Sequence, residues 1–232
     1  MDQAKLTELF DQQAANYDQQ WAKMAPLREA LLYLLESQFA DLPDDAKVLC
    51  VGVGTGAEMA HLASRHPRWQ FTAVEPSGQM LEVCRARMQQ QGFADRSTYH
   101  HGFLDSLPKT PQYDAATCFL VSQFILDPAA RTQFFGEIAT RLTPGGRLAS
   151  SDLSCDTSSH DYQVLLNAWM KMMADAELTD EMRDRMQQAY ANDVAIVPPN
   201  QVAALIQSAG FESAVQFYQT GLIHGWISRV AG

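Results

Sequence analysis

Three glycines at alternate positions, Gly52, Gly54 and Gly56, and an acid at Glu75 are the residues whose types and spacing suggest chemistry. The run Val48 to Val51 that precedes them is apolar without alternation, the mark of a parallel strand buried on both faces. A helical pattern with Met59, Ala60, Leu62 and Ala63 on one side comes next. Strand, glycine turn and helix in that order let a ligand approach the main chain and offer it the unpaired N–H groups of a helix start. Glu75 ends a second apolar run, Phe71 to Val74, 21 positions after Gly54 (75 − 54). That is near the roughly 20 expected for a carboxylate accepting from both hydroxyls of a ribose. Turn and acid together point to an adenosine-type ligand.

The glycines alone do not decide which one. Gly52-x-Gly54-x-x-Ala57 fits the dinucleotide pattern, Gly52-x-Gly54-x-Gly56 fits the loop of nucleotide methyltransferases, and a tight turn without ligand has the same appearance. The rest of the chain has to position these residues, and its patterns alternate. Ser77 caps a helix whose Met80, Cys84 and Met88 share a face, and Ser97 to His101 is a short strand. Tyr113 to Leu120 is a fourth strand, and Asp127-Pro128 opens a helix with Phe134, Ile138 and Leu142 inward. Pro144-Gly145-Gly146 turns into a fifth strand, Arg147 to Asp152. Such alternation means βαβ units and a parallel sheet, with the ligand at the C-terminal edge of the strands. After Ser154 it stops. Two helical patterns fill residues 154–197, one with Leu165, Leu166, Trp169, Met170, Met172 and Met173, the other with Met182, Met186, Ala189 and Tyr190. A helix from Pro198-Pro199 and two strands, Phe211 to Tyr218 and Leu222 to Ser228, close the chain. The link Gln219-Thr220-Gly221 is too short for a parallel crossover, so the last pair is an antiparallel hairpin.

Ahead of the first strand, residues 3–21 place Leu6, Leu9, Phe10, Tyr17 and Trp21 at helical spacing, and a second helix runs from Pro26 to Phe39. The expectation is one domain over 1–232, with 1–42 as a helical lid and 154–197 as an inserted cap. At 232 residues the chain is too short for two ordinary domains. A net charge of −10 without a Lys/Arg run argues against nucleic acid or an anionic membrane as partner. No apolar run approaches the roughly 20 residues of a membrane span, and the N-terminus lacks a signal pattern. Four scattered cysteines, Cys50, Cys84, Cys118 and Cys155, read as free thiols of a reducing cytoplasm. The six histidines show no metal-ligand spacing, so no metal is expected.

In its order of elements the chain resembles the class I S-adenosylmethionine-dependent methyltransferases, over roughly residues 44–152 and 199–229. The resemblance rests on the glycine motif, Glu75, Leu142-Thr143-Pro144-Gly145-Gly146 before the fifth strand, and the hairpin after Ala209-Gly210-Phe211. Phe10-Asp11 through Tyr17-Asp18 is similar to the F-D-x-x-A-x-x-Y-D segment of the small-molecule branch, where this helix lies over the cofactor. The resemblance implies that Gly52, Gly54 and Gly56 pass the methionine moiety, Glu75 holds the ribose and Pro76 borders the adenine. It places Phe103 and Leu104 at the adenine edge, Phe119 and Gln123 along the path of the methyl group, and Tyr17 over the pocket. Three positions depart from the family. Cys50 stands where an acid commonly lies beneath the methionine amino group, Phe103 replaces a common aspartate, and Gln123-Phe124 replaces a frequent histidine pair.

Other residues have plainer readings beside functional ones. Asp152 either binds the acceptor or caps the segment after it, and Trp169 with its methionines forms either an acceptor wall or core. His100 and His101 point to opposite faces of their strand; His160 opens the insertion; His224 and Trp226 read as sheet packing. The expectation is a methyltransferase acting on a small molecule with S-adenosylmethionine, without an assigned catalytic residue and with a homodimer left open. An enzyme making a carboxylated derivative of the cofactor, a silent binding module and, more distantly, an NAD-dependent oxidoreductase are the alternatives.

Overall fold

The apolar runs become the strands of one sheet. The computed structural model of the protein describes residues 3–110, 112–173 and 179–231. In it β1 (Lys47–Val51), β2 (Gln70–Glu75), β3 (Ser97–His101), β4 (Tyr113–Phe119) and β5 (Leu142–Leu153) are parallel. β6 (Val215–Thr220) and β7 (Ile223–Arg229) form an antiparallel hairpin whose β7 pairs with β5. The order is β3-β2-β1-β4-β5-β7-β6, the expected mostly parallel, Rossmann-like, seven-stranded sheet. The chain leaves β1 toward β2 on one side and β4 on the other, and such a reversal opens a crevice at the carboxyl ends of those strands.

Both faces of β1 are covered, which explains its unbroken apolar run. Val48 and Cys50 pack with α3 (Ala25–Phe39), α4 (Ala57–Arg65) and α5 (Gly78–Gln90) through Leu35, Phe39, Leu62 and Met88. Leu49 and Val51 face α6 (Pro128–Ala139) and α9 (Pro199–Ser208) through Phe135, Ile138, Val202 and Ile206. Both predicted caps form: Ser77 Oγ accepts from Met80 N at 3.1 Å, and Asp127 Oδ2 from Ala130 N at 3.0 Å. Three expectations change. The fully buried aromatic of α6 is Phe135, with Phe134 only partly covered. Pairing of β5 begins at Leu142 opposite Tyr113 and resumes at Arg147 opposite Ala115, so Pro144-Gly145-Gly146 is a bulge within the strand. Phe211 makes one isolated bridge to Val230, and β6 starts later, at Val215.

The single helix expected over 3–21 is broken into α1 (Gln3–Gln13), a 3₁₀ turn at Ala14–Asn16 and α2 (Tyr17–Gln20). Asn16 leaves helical geometry at φ −115° and ψ 2°. The bend lets the segment follow three different elements, because Asp11 reaches the start of α5, Asp18 reaches Thr55, and Trp21 packs on Trp169.

Residues 154–197 hold α7 (His160–Met173) and α8 (Asp180–Asp193), their base closed by a bridge between Ser154 and Val197. The expectations for Met182 and Met186 lie outside the described side chains. Tyr162, Leu166, Trp169 and Met170 of α7 pack on Met24, Leu31, Leu153, Tyr218 and Ile223. Met172, expected inward, is 40% exposed, because the helical period that buries Trp169 and Met170 turns it out. Trp169 is 2% exposed and its Nε1 donates to Tyr190 Oη at 2.6 Å. Trp169→Ala should therefore cost about 3–5 kcal/mol of stability, the usual penalty for emptying such a site. Urea unfolding of the variant checks this, and an unchanged midpoint would show that the indole is not core.

Candidate functional site

At the end of β1 the backbone turns in three left-handed steps, with φ of 62° at Gly52, 55° at Gly54 and 78° at Gly56. Gly52 N and Val53 N both donate to Val74 O, at 2.8 and 3.2 Å, which ties the loop to β2. A Cβ on Gly52 would lie 2.5 Å from Val121 Cγ2, and one on Gly56 2.5 Å from Cys84 Sγ. A Cβ on Gly54 would meet nothing within 4 Å. Gly54 is thus the open point of the loop, where a ligand can lie against main chain. α4 starts directly afterwards, with its first N–H groups at the same edge.

Glu75 joins this loop to the next. Its Oε2 accepts from Gly54 N at 2.9 Å and its Oε1 from Ser77 N at 3.0 Å, while the residue is 6% exposed. Burial raises its carboxyl above the usual range, and the two N–H bonds oppose the rise. A carboxylate has about four lone-pair positions, so two remain for a diol. Pro76 is half-buried beside it, and its carbonyl accepts from His101 Nε2 at 3.2 Å.

The N-terminal segment is fastened over the same edge by its two aspartates. Asp11 Oδ1 accepts from Ser77 Oγ at 2.6 Å and from Gln79 N at 3.0 Å, at the start of α5. Asp18 accepts from Thr55 Oγ1 at 2.8 Å and pairs with Arg87, whose Nε donates to Thr55 O at 2.8 Å. Tyr17 lies between them, its phenol pushed up to about 12 by burial and then by the charges of Glu75, Asp18 and Glu58. The rings continue as a row, Tyr17 to Trp21 at 5.9 Å and Trp21 to Trp169 at 6.2 Å. Phe10 meets Phe124, after β4, edge-on at 5.7 Å. Asp11, Asp18, Thr55 and Arg87 were not singled out as site residues from sequence. The seven-residue spacing of the two aspartates was the available signal.

Across the edge several expectations change. Asp152, a candidate for the acceptor, is fully buried and bound by protein groups. Its Oδ2 accepts from Ser122 Oγ at 2.7 Å and lies 3.1 Å from Arg131, and its Oδ1 accepts from Gln123 N at 2.8 Å. Gln123, placed along the methyl path, is 5% exposed and its Oε1 accepts from Leu153 N at 2.7 Å. Both residues hold the turn after β4. Trp169, buried and bonded to Tyr190, is cap core rather than acceptor wall. Leu104 points into the core beneath the sheet. Its carbonyl accepts from the buried Arg141 at 2.8 Å, which also binds Leu107 O and so shapes the loop after β3. Phe103 is 41% exposed beside that loop, and Phe119 is half-buried at the end of β4. Leu120 then takes φ 58°, a strained conformation for a branched side chain, while its N–H donates to Ser151 O at 2.7 Å. Of the histidines, His100 bonds Ser106 at 2.7 Å, His160 is exposed, and His224 stacks on Trp226 as expected for packing.

A glycine loop and a ribose-type acid at the switch point of a parallel sheet define a nucleotide-binding α/β protein. Residues 48–146 match the family model of the methyltransferase domain. The chain is 35% identical over 85 residues to a malonyl-[acyl-carrier protein] O-methyltransferase of Geobacter sulfurreducens, covering 37% of this chain and 31% of that one. It is 32% identical over 130 residues to methyltransferase GfsG of Streptomyces halstedii, covering 55% and 46%. A putative O-methyltransferase of Nostoc punctiforme superposes with a TM-score of 0.69 at 16% identity, over 95% of this chain and 59% of that one. The chain spans less than half the length of the curated relatives it matches. Residues 48–146 thus match a methyltransferase domain, a kind of domain whose cofactor is S-adenosylmethionine, within a seven-stranded Rossmann-like sheet. The residues present suit that cofactor, with an open main chain at Gly54 and a carboxylate with free lone pairs at Glu75.

The buried acids carry two expected outcomes. Arg131→Ala leaves the buried Asp152 without its cation, and should cost about 3–5 kcal/mol in chemical unfolding; a loss below about 1 kcal/mol would contradict the pairing. Glu58, in the first turn of α4, is half-buried, and burial pushes its carboxyl up to about 7 from an ordinary 4.5. The folded protein therefore holds this proton more tightly than the unfolded chain, and stability falls as pH rises from 4.5 through 7. Glu58→Gln should melt like wild type near about pH 5 and above it near about pH 8, by calorimetry without ligand. A variant no more stable at the higher pH would contradict this.

Proposed function

We propose that the protein transfers a methyl group from S-adenosylmethionine to a small-molecule acceptor. The observation that carries the reading is the open Gly54 loop, with Glu75 at its side, lying under the N-terminal segment that Asp11 and Asp18 fasten there with Tyr17 between them. Glu75 is assigned to the ribose, Gly52, Gly54 and Gly56 to the methionine moiety, Pro76 and Phe103 to the adenine edge, and Phe119 and Tyr17 to the walls. The cofactor supplies a methyl group already activated by its sulfonium. What remains for the chain is to hold the partners in line and keep water out. The segment fastened over the loop suits that task, and it requires no acid–base pair. The relatives named as O-methyltransferases favour an oxygen nucleophile.

The net charge of −10 disfavours a polyanionic acceptor. Four unpaired thiols suit a reducing compartment, and no helix among the described residues is long and apolar enough to cross a membrane. Formation of a carboxylated cofactor would need an arginine for the added carboxylate. Arg131, beside the turn after β4, is already engaged by Asp152, Ser122 and Ala195. A silent binding module would bind the cofactor and never turn it over.

Titration calorimetry with S-adenosylhomocysteine tests the cofactor site. Wild type should bind, Glu75→Ala should bind roughly 10- to 100-fold more weakly for loss of a charge-assisted bond, and Gly54→Val should not bind. Equal affinity in all three would remove the assignment. Mass spectrometry of the co-purified ligand separates the readings: the cofactor or its demethylated product supports this one, a carboxylated derivative or NAD does not. Salt-sensitive stoichiometric binding of tRNA would overturn the small-molecule acceptor.

A further inference from the structure

Four carboxylates gather where the glycine loop meets the N-terminal segment, and three of them have partners. Asp11 is held by Ser77 and Gln79, Asp18 by Thr55 and Arg87, and Glu75 by Gly54 and Ser77. Glu58 is the fourth. Among the described residues no neighbouring side chain or backbone donor bonds its carboxylate, and its own N–H is the only hydrogen-bonding influence on it. It stands two residues beyond Gly56, in the first turn of α4. The groups whose electrostatic influence couples it to its surroundings are Cys50 on β1, Glu75 on β2, Cys118 on β4, Tyr17 on α2, Cys84 and Arg87 on α5, and Arg28 on α3. Arg87 already serves Asp18 and the Thr55 carbonyl, and Arg28 is exposed.

A half-buried carboxylate beside a second buried acid, without a cation of its own, is electrostatically incomplete. The missing group is positive. Position 50, directly beneath the loop, holds a fully buried thiol instead of an acid, so no carboxylate stands on the strand to receive such a group. We infer that Glu58 is a cofactor-binding residue, whose carboxylate accepts the α-ammonium group of the cofactor's amino-acid moiety. The acid is displaced from the strand to the first turn of the following helix. The inference rests on the reading of this pocket as an S-adenosylmethionine site. The division of labour is then by charge: Glu75 takes the neutral diol and Glu58 the cation.

The test uses two ligands and two proteins in titration calorimetry. S-adenosylhomocysteine has a neutral sulfur, so the ammonium is its only cation. 5′-Methylthioadenosine keeps the adenosine and lacks the amino-acid moiety. Glu58→Gln keeps the shape of the side chain and removes its charge. The variant should bind S-adenosylhomocysteine roughly 10- to 100-fold more weakly than wild type, for loss of a charge-assisted bond. It should bind 5′-methylthioadenosine within about twofold of wild type. The selectivity excludes general damage to the pocket. It also excludes a contact to the moiety's own carboxylate, since removing a negative charge would strengthen that. Equal weakening for both ligands, or no weakening for either, overturns the assignment while leaving the cofactor reading intact. A wild type that binds neither ligand overturns both.

Discussion

The site depends on one carboxylate bridging two loops. Glu75 ends β2 with its charge out of water, a position that is unfavourable unless hydrogen bonds compensate it. Compensation comes from main-chain N–H groups of Gly54 and Ser77, so the bond network joins the glycine loop to the start of α5. Neither loop can move without stranding the acid. Gly52 is pinned separately, by Val74 O beneath and the Val121 side chain beside it. Gly54 alone faces open space, and the floor of the pocket is set before any ligand arrives.

The same device recurs on the other side of the sheet with a different outcome. Asp152 also ends a strand and also accepts a main-chain N–H, from Gln123, but it is completed by Arg131 and Ser122. Arg131 extends the tie to Ala195 O, and Ala195 N donates to Gln123 O at 2.7 Å. One buried ion pair therefore fixes the turn after β4 and the strap returning from the cap. An anion fully buried among its own protein partners presents nothing to a substrate, so position at the strand edge was not enough to make Asp152 a binding residue. Glu75 keeps lone pairs free, and among the described residues Glu58 has no partner beyond its own N–H, so capacity for a ligand is concentrated around the glycine loop.

How far the sequence was legible depends on the range of the forces involved. The strands, the caps at Ser77 and Asp127, the hairpin and the glycine–acid pair are local patterns, and they appear where spacing placed them. The break at Asn16 was not legible, because it answers to contacts from Asp11 to Ser77 and from Asp18 to Thr55 across the fold. For the same reason the contacts of Gln123, Leu104 and Trp169 were not legible. Each sits near the edge in the chain order, yet its polar atoms or ring meet partners distant in sequence, Leu153, Arg141 and Tyr190. A residue's place along a strand predicts which edge it reaches, while what it faces there is settled by tertiary pairing.

The roof is built on weaker physics than the floor. α1 buries no residue, and in the segment 3–21 only Ala14 is buried. What holds it are the polar ties of Asp11 and Asp18 and the partly covered rings of Phe10, Tyr17 and Trp21. The Asp18–Arg87 pair is solvent-accessible, with side chains 45% and 25% exposed, and pairs of that kind contribute about 0–1 kcal/mol. Segments with few buried contacts open at low free-energy cost, whereas the sheet and its buried ion pairs open only with the whole domain. The N-terminal segment is therefore the part of this edge that opens most easily, and the sheet below it the part that opens last. The two aspartates set this balance: they seat the N-terminal segment on Thr55 and Ser77, close in the chain to Gly54 and Glu75, so its docking is registered against the glycine loop and the start of α5.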